Sequence, residues 1–319
     1  MRRRIFTNAR VVTPREVFLG TVEIHVDRIA RVELGATSLP GAEDLGGDFL
    51  LPGLVDLFSA TLQMTRHRRP DLLTALCIHD LAASSSGVTT VLHGLPLAGP
   101  GTPLDEADVG ACIDQATAQG LLRADHHGHL ELGTPPAEDA VAVWSWPRVR
   151  LVSSGGNWRL GTPPDGSRIR EARLHCRQPE DIARAAEARL AAVAFPETVT
   201  AMISAQQRGL SVILLSRDIV ETQDAWERRA DGEVVAGLTA FASWNEPHRL
   251  LQTPFALRDR AGWSLQDAVR TVSTTPARLA GLEDRGCIAT GRRADFVRVR
   301  LCDGIAFPMG TWRGGRQVA

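Results

Sequence analysis

The chain has 319 residues, 44% of them apolar and 23% charged, which is enough for one large domain and a small accessory one. A formal net charge of -1 gives no electrostatic basis for partnership with nucleic acid or an anionic membrane. No run approaches the roughly 18 uninterrupted apolar residues that a membrane span needs. All 36 basic residues are arginine, so a carboxylated lysine bridging two metals is excluded.

Residues 5–34 alternate in short apolar bursts: Ile5-Phe6, Val11-Val12, Val22 to Val26 and Ile29 to Val32. Asn8, Pro14, Gly20 and Asp27-Arg28 punctuate them, the period-two pattern of short antiparallel strands. The start Met1-Arg2-Arg3-Arg4 is like the basic head of a signal peptide, but Thr7, Asn8 and Arg10 interrupt any apolar segment behind it. Next comes Phe49-Leu50-Leu51-Pro52-Gly53-Leu54-Val55-Asp56-Leu57-Phe58-Ser59-Ala60. It reads as an apolar run, a Pro-Gly turn and a buried strand from Leu54 to Phe58.

Strands are predicted at Val88 to Leu92, Leu121 to Leu132, Val149 to Ser153, Ala191 to Phe195, Val212 to Leu215 and Gly237 to Phe241. Helices are predicted at Asp71 to Ser86, Leu104 to Gln119, Asp181 to Arg189 and Thr198 to Gly209, the last closed by Gly209. Gly161 to Gly166 reads as a surface loop. Short strands return at Asp295 to Leu301 and Gly310 to Arg316. The repeated β-α units predict an α/β protein with a (β/α)8 barrel over residues 52–284. Residues 1–51 and 285–319 are predicted to pair into a small β-sandwich domain. A doubly wound sheet is the weaker alternative, because no G-x-G-x-x-G opens a helix after the first strand. The five cysteines are odd in number and widely spaced, and so read as reduced, buried thiols of a cytoplasmic protein.

Several of these blocks resemble the amidohydrolase superfamily. Within it they are similar to the metal-dependent diphosphatases of phosphonate breakdown, which cleave pyrophosphate from ribose 1-methylphosphonate 5-triphosphate. The resemblance rests on Leu51 to Leu57, His79-Asp80 with Ser86 to Leu92, Arg123 to Leu130, Ala194 to Thr198, Thr274 to Leu279 and Asp284 to Asp295. It implies a divalent metal site at the carboxyl ends of the barrel strands. The family's first-strand His-x-Asp falls on Phe58 and Ala60. Its bridging glutamate falls on Gly133, or on Glu131 with a shift of two. Its fifth-strand histidine falls near Asn157, its sixth on His175, and its eighth-strand aspartate beside Trp244. A binuclear site needs several N/O ligands at once, so replacement at most positions implies that no metal cofactor is held.

Other polar clusters remain. On a strand, His127 and His129 point one way and His126 the other, so His127, His129 and His175, or Glu131, offer a rebuilt mononuclear zinc site. His79-Asp80, on a helix, reads most simply as a helix-to-barrel hydrogen bond. His93 follows the second predicted strand and would then face the mouth or solvent. Arg66, Arg68 and Arg69, beside His67 in the first βα loop, could hold a phosphate together with His93 and His126. Asp218 and Glu221 form an isolated carboxylate pair, and Ser153 to Gly156 a weak anion nest. The expectation is a superfamily member without the binuclear site, acting in phosphonate metabolism by binding a phosphorylated small molecule. It would do so as a homo-oligomer or as a partner of other phosphonate-metabolism proteins. The alternative is an active hydrolase built on the mononuclear histidine site.

Overall fold

The computed structural model describes residues 3–60, 62, 71–97, 106–132, 148–155, 169–217 and 238–319. Five strands open the chain: β1 (Arg3–Val12), β2 (Val17–His25), β3 (Arg28–Leu34), β4 (Ala42–Asp44) and β5 (Phe49–Pro52). Eight follow: β6 (Leu54–Ser59), β7 (Val88–Leu97), β8 (Asp125–Leu132), β9 (Val149–Ser154), β10 (Arg170–Leu174), β11 (Ala192–Ala194), β12 (Ser211–Leu215) and β13 (Thr239–Ala242). β14 (Phe296–Cys302), β15 (Ile305–Arg313) and β16 (Arg316–Gln317) close it. The described helices are α1 (Leu72–Ser85), α2 (Glu106–Ala118), α3 (Pro179–Glu187), α4 (Val199–Gln207), α5 (Pro247–Ala261), α6 (Leu265–Arg270) and α7 (Thr274–Leu279).

β6 to β13 form one parallel sheet in sequence order, and its first and last strands meet. Trp244, just past β13, donates its N–H to the Phe58 carbonyl at 3.1 Å, which closes the barrel. The second sheet runs β16-β15-β14-β5-β1-β2-β3, with β4 beside β1. The two chain ends join where β5 pairs antiparallel with β14, Phe49 opposite Val299 and Pro52 opposite Phe296. The terminal sheet has its own core around Phe6, Phe296 and Trp312, whose rings meet edge to face.

The helix ends are chemically specified. Asp71 caps α1 by accepting from Thr74 N at 2.9 Å, and Thr198 caps α4 by accepting from Ala201 N at 3.1 Å. Gly209 lies one residue past the α4 cap Arg208, at φ 73, where a side chain would be strained. The predicted loop at 161–166 lies outside the described residues. All five cysteines are free; Cys112 and Cys176 are buried, but Cys302 is exposed. Among the described residues no helix is long and apolar enough to cross a membrane.

Leu57 and Phe58, Leu92, Leu151, Ala172 and Leu174, Ala192 and Ala194, Ile213, and Ala240 and Ala242 share one buried cluster. These residues come from seven of the eight barrel strands, so the cluster fills the barrel interior. Alanines on β10, β11 and β13 leave room for the large Phe58 ring. The strand missing from that cluster, β8, contributes His129 instead, whose ring lies 5.1 Å from that of Phe58.

A buried carboxylate fastens the seam. Asp56 on β6, 1% exposed, accepts from Ser243 N at 2.9 Å, from the Ser243 hydroxyl and from Phe58 N at 3.2 Å. Burial pushes its carboxyl up to about 6, against the lowering effect of those three donors. An acid raised in the folded state binds its proton more tightly there than in the unfolded chain. This group therefore supports the fold fully below about pH 4 and loses that support as pH rises through about 6. The Asp56→Asn variant keeps an acceptor for both backbone N–H groups and abolishes the titration. Relative to wild type it should gain on the order of 2–3 kcal/mol between pH 4 and pH 8, read by denaturant melts at the two pH values. Parallel pH profiles for the two proteins would refute this.

Candidate functional site at the barrel mouth

The carboxyl ends of the strands are where a barrel of this kind places chemistry. Here that end is aromatic. Phe58, 1% exposed, stacks on Trp244 with ring centroids 5.0 Å apart and meets Phe195 edge to face at 5.6 Å. Phe195 and Trp244 sit at φ 53 and 61, as does His175 at φ 51, so three strand ends adopt left-handed backbone. That conformation costs a β-carbon residue about 1–2 kcal/mol and turns the chain sharply at the mouth. On the far side of Phe58 lies Gly94 of β7, where a β-carbon would fall 2.2 Å from Cζ of the ring. The glycine and the phenylalanine are matched in shape.

His129 is tied into this wall. Its Nδ1–H donates to the Leu57 carbonyl at 2.8 Å, which leaves Nε2 to accept from the Ser153 hydroxyl. Burial lowers its pKa to about 4, so the ring is neutral. Both nitrogens are committed. His175, at the other side of the mouth, is 59% exposed and lies 3.8 Å from Glu197. His127 lines a cavity at the opposite, amino-terminal end of the strands. The three imidazoles of the expected mononuclear site therefore do not converge. Residues two apart on a strand are separated by about 7 Å, and here one faces the mouth and the other the barrel floor. Burial raises the pKa of Glu131. Among the described residues no three His, Cys, Asp or Glu side chains are placed to hold a metal ion. Phe58 and its aromatic neighbours occupy the described part of the mouth.

His93 and His126 were expected to face a ligand; both are buried, His93 between the barrel wall and α1 and His126 against Asp80 of α1 and beside the cavity at the amino-terminal end of the strands. β7 extends to Leu97, five residues past its predicted end, so His93 lies inside a strand and is 0% exposed. Its Nε2 is 2.9 Å from His126 Nδ1, and His126 Nε2 donates to Asp80 at 3.0 Å. Asp80 also accepts the backbone N–H groups of Arg123 and Ala124, at 2.9 and 2.8 Å. This is the helix-to-barrel bond expected of His79-Asp80. Burial works to raise the Asp80 pKa, but His126 and the two N–H groups outweigh it and hold it low. His79, 3.3 Å from the Ser59 hydroxyl, is lowered to about 3 by burial and then by His126. The strand predicted at Leu121 to Leu132 begins at Asp125, and its alternation holds: His126 faces α1 and His129 the barrel axis. Arg66, Arg68, Arg69, Gly133, Asn157, Asp218 and Glu221 lie outside the described residues.

Sequence reasoning missed the pairing of Asp56 with Ser243 and of His129 with Ser153. Each joins residues far apart in the chain, and neither Ser243 nor the Ser153-Ser154 pair shows in the sequence what side chain will face it. The aromatic wall was half visible in Phe58 and Trp244. Phe195 was read only as a strand end.

The family model described as "Amidohydrolase family" matches residues 160–317 of the chain. The chain is similar to the alpha-D-ribose 1-methylphosphonate 5-triphosphate diphosphatase of Escherichia coli (strain K12), 25% identical over 376 aligned residues. That alignment covers 98% of this chain and 100% of the relative. The fold is shared with N-acetylglucosamine-6-phosphate deacetylase from Pasteurella multocida, at TM-score 0.76 and 13% identity with both chains fully covered. It is shared also with the dihydropyrimidinase of Brevibacillus agri, at TM-score 0.69 and 13% identity, covering 100% of this chain and 95% of that one.

Proposed function

We propose that this protein is a divergent relative of the phosphonate-pathway diphosphatase that lacks the binuclear metal site and acts by binding or assembly in phosphonate metabolism. The observation that carries the reading is Phe58, on which the sequence resemblance places the family's first ligand: its ring is stacked on Trp244 and seated against Gly94. An imidazole there would have to displace an aromatic cluster rather than occupy an open polar site. The tied nitrogens of His129 support the same reading, and the likeness to the Escherichia coli diphosphatase supports the pathway.

Elemental analysis of purified protein, with a diphosphatase assay on a ribose 1-phosphonate 5-triphosphate, tests the first half. Metal well below one equivalent and no pyrophosphate release are expected. Stoichiometric, chelator-resistant metal with enzyme-like turnover would overturn it. For the second half, a deletion strain should grow poorly with methylphosphonate as its only phosphorus source. Unimpaired growth removes the pathway assignment.

A further inference from the structure

A described cavity lies at the amino-terminal end of the barrel strands, away from the mouth and independent of the reading above. It has a volume of about 660 Å³, the size of a small-molecule site. Its wall is built where β8, β9 and β10 begin and where the chain leaves α7 for the terminal sheet. Five arginines line it, Arg148, Arg150, Arg170, Arg285 and Arg313, against three carboxylates, Asp125, Glu283 and Asp284. Arg285 and Arg313 share Asp125, which Arg293 also contacts, so one carboxylate faces three guanidinium groups. Arg148 pairs with Asp114 at 2.6 Å, and Arg170 is exposed with no ion pair among the described residues.

His127 supplies the second, independent observation. It lines the cavity, is only 8% exposed, and neither ring nitrogen has a hydrogen-bond partner. A buried polar group without a partner costs about 1–3 kcal/mol, and such groups are rare unless something binds them. Burial, then the charge of Arg150, lowers its pKa to about 3. The surroundings thus repel a proton and favour an anion. No phenylalanine or tryptophan is among the described lining residues; the rings there are the imidazoles of His126 and His127.

We propose that this cavity binds a compact phosphorylated small molecule of sugar-phosphate size, with the arginine wall on the phosphate and His127 as a polar contact at its floor. Guanidinium groups already holding one carboxylate keep further N–H donors for a phosphate, and bidentate arginine contacts suit that geometry.

Calorimetric titration of the full chain with ribose 5-phosphate and, separately, inorganic pyrophosphate tests this. One saturable site of about 0.1 mM or tighter is expected, weakening as salt is raised. Arg170→Ala, an exposed change that leaves the fold intact, should weaken binding about tenfold. His127→Asn should weaken it as well; if that variant fails to fold, Arg170→Ala decides alone. Absence of saturable heat up to ~10 mM of either probe, or unchanged affinity in Arg170→Ala, would overturn the proposal.

Discussion

Asp80→Ala should cost the fold about 3–5 kcal/mol, the loss typical when one partner of a buried charged network is removed. The carboxylate is 0% exposed and accepts from Arg123 N, Ala124 N, the Arg123 guanidinium and His126 Nε2. Alanine would strand two buried backbone donors and one imidazole together, in a place too tightly covered by α1 for water to replace the lost acceptor. The melting temperature should fall by roughly 8–15 °C, followed by scanning calorimetry. Asp80→Asn keeps one acceptor oxygen and should lose about half as much. If both variants melt within a degree or two of wild type, Asp80 is not the tie between helix and barrel. The effect should be greatest at neutral pH, because His126 and the N–H groups hold the Asp80 pKa low. It should shrink in acid, where wild type also protonates this carboxylate.

The barrel was legible because parallel strands covered on both faces must read as apolar runs, and Leu54 to Phe58, Val149 to Ser153 and Val212 to Leu215 do. β10, Arg170-Glu171-Ala172-Arg173-Leu174, escaped because its outward positions are charged. Only Ala172 and Leu174 reach the barrel interior, and the pattern resembles a polar loop. β15 was expected to start at Gly310; it starts at Ile305, since Asp303-Gly304 makes a tight hairpin with positive φ at both residues.

The site was harder to read than the fold. A histidine's role depends on what faces it from other strands, and sequence spacing gives only its side of the sheet. Period two correctly separated His126 from His129. It could not show that Leu57 and Ser153 occupy both nitrogens of His129, or that β7 runs on far enough to bury His93. Nor could it show that five arginines, distributed from position 148 to position 313, converge on one cavity.

Phe58→Ala should destabilise the protein by about 3–5 kcal/mol, because the ring fills the centre of the barrel mouth and its neighbours are themselves rigid. Trp244, Phe195 and His129 each meet the ring from a different strand, and Gly94 offers no side chain that could move in to fill the space. The informative companion is Phe58→His with Ala60→Asp, which restores the family's first-strand His-x-Asp. If Phe58 alone blocked a latent site, zinc should then bind tightly. The geometry argues otherwise. His129 keeps its bonds to Leu57 and Ser153, Phe195 and Trp244 still lie just past β11 and β13, and among the described residues two new donors leave an ion short of the three protein ligands a catalytic zinc site uses. The double variant should therefore show zinc affinity no better than ~10 μM in competition with a chromogenic chelator. Its melting temperature should fall, through loss of the aromatic stack, and should not recover on adding metal, as it would if zinc bound the native state. A submicromolar site would mean that the remaining ligands are already in place, and that Phe58 is a plug in an intact metal centre rather than one part of its replacement.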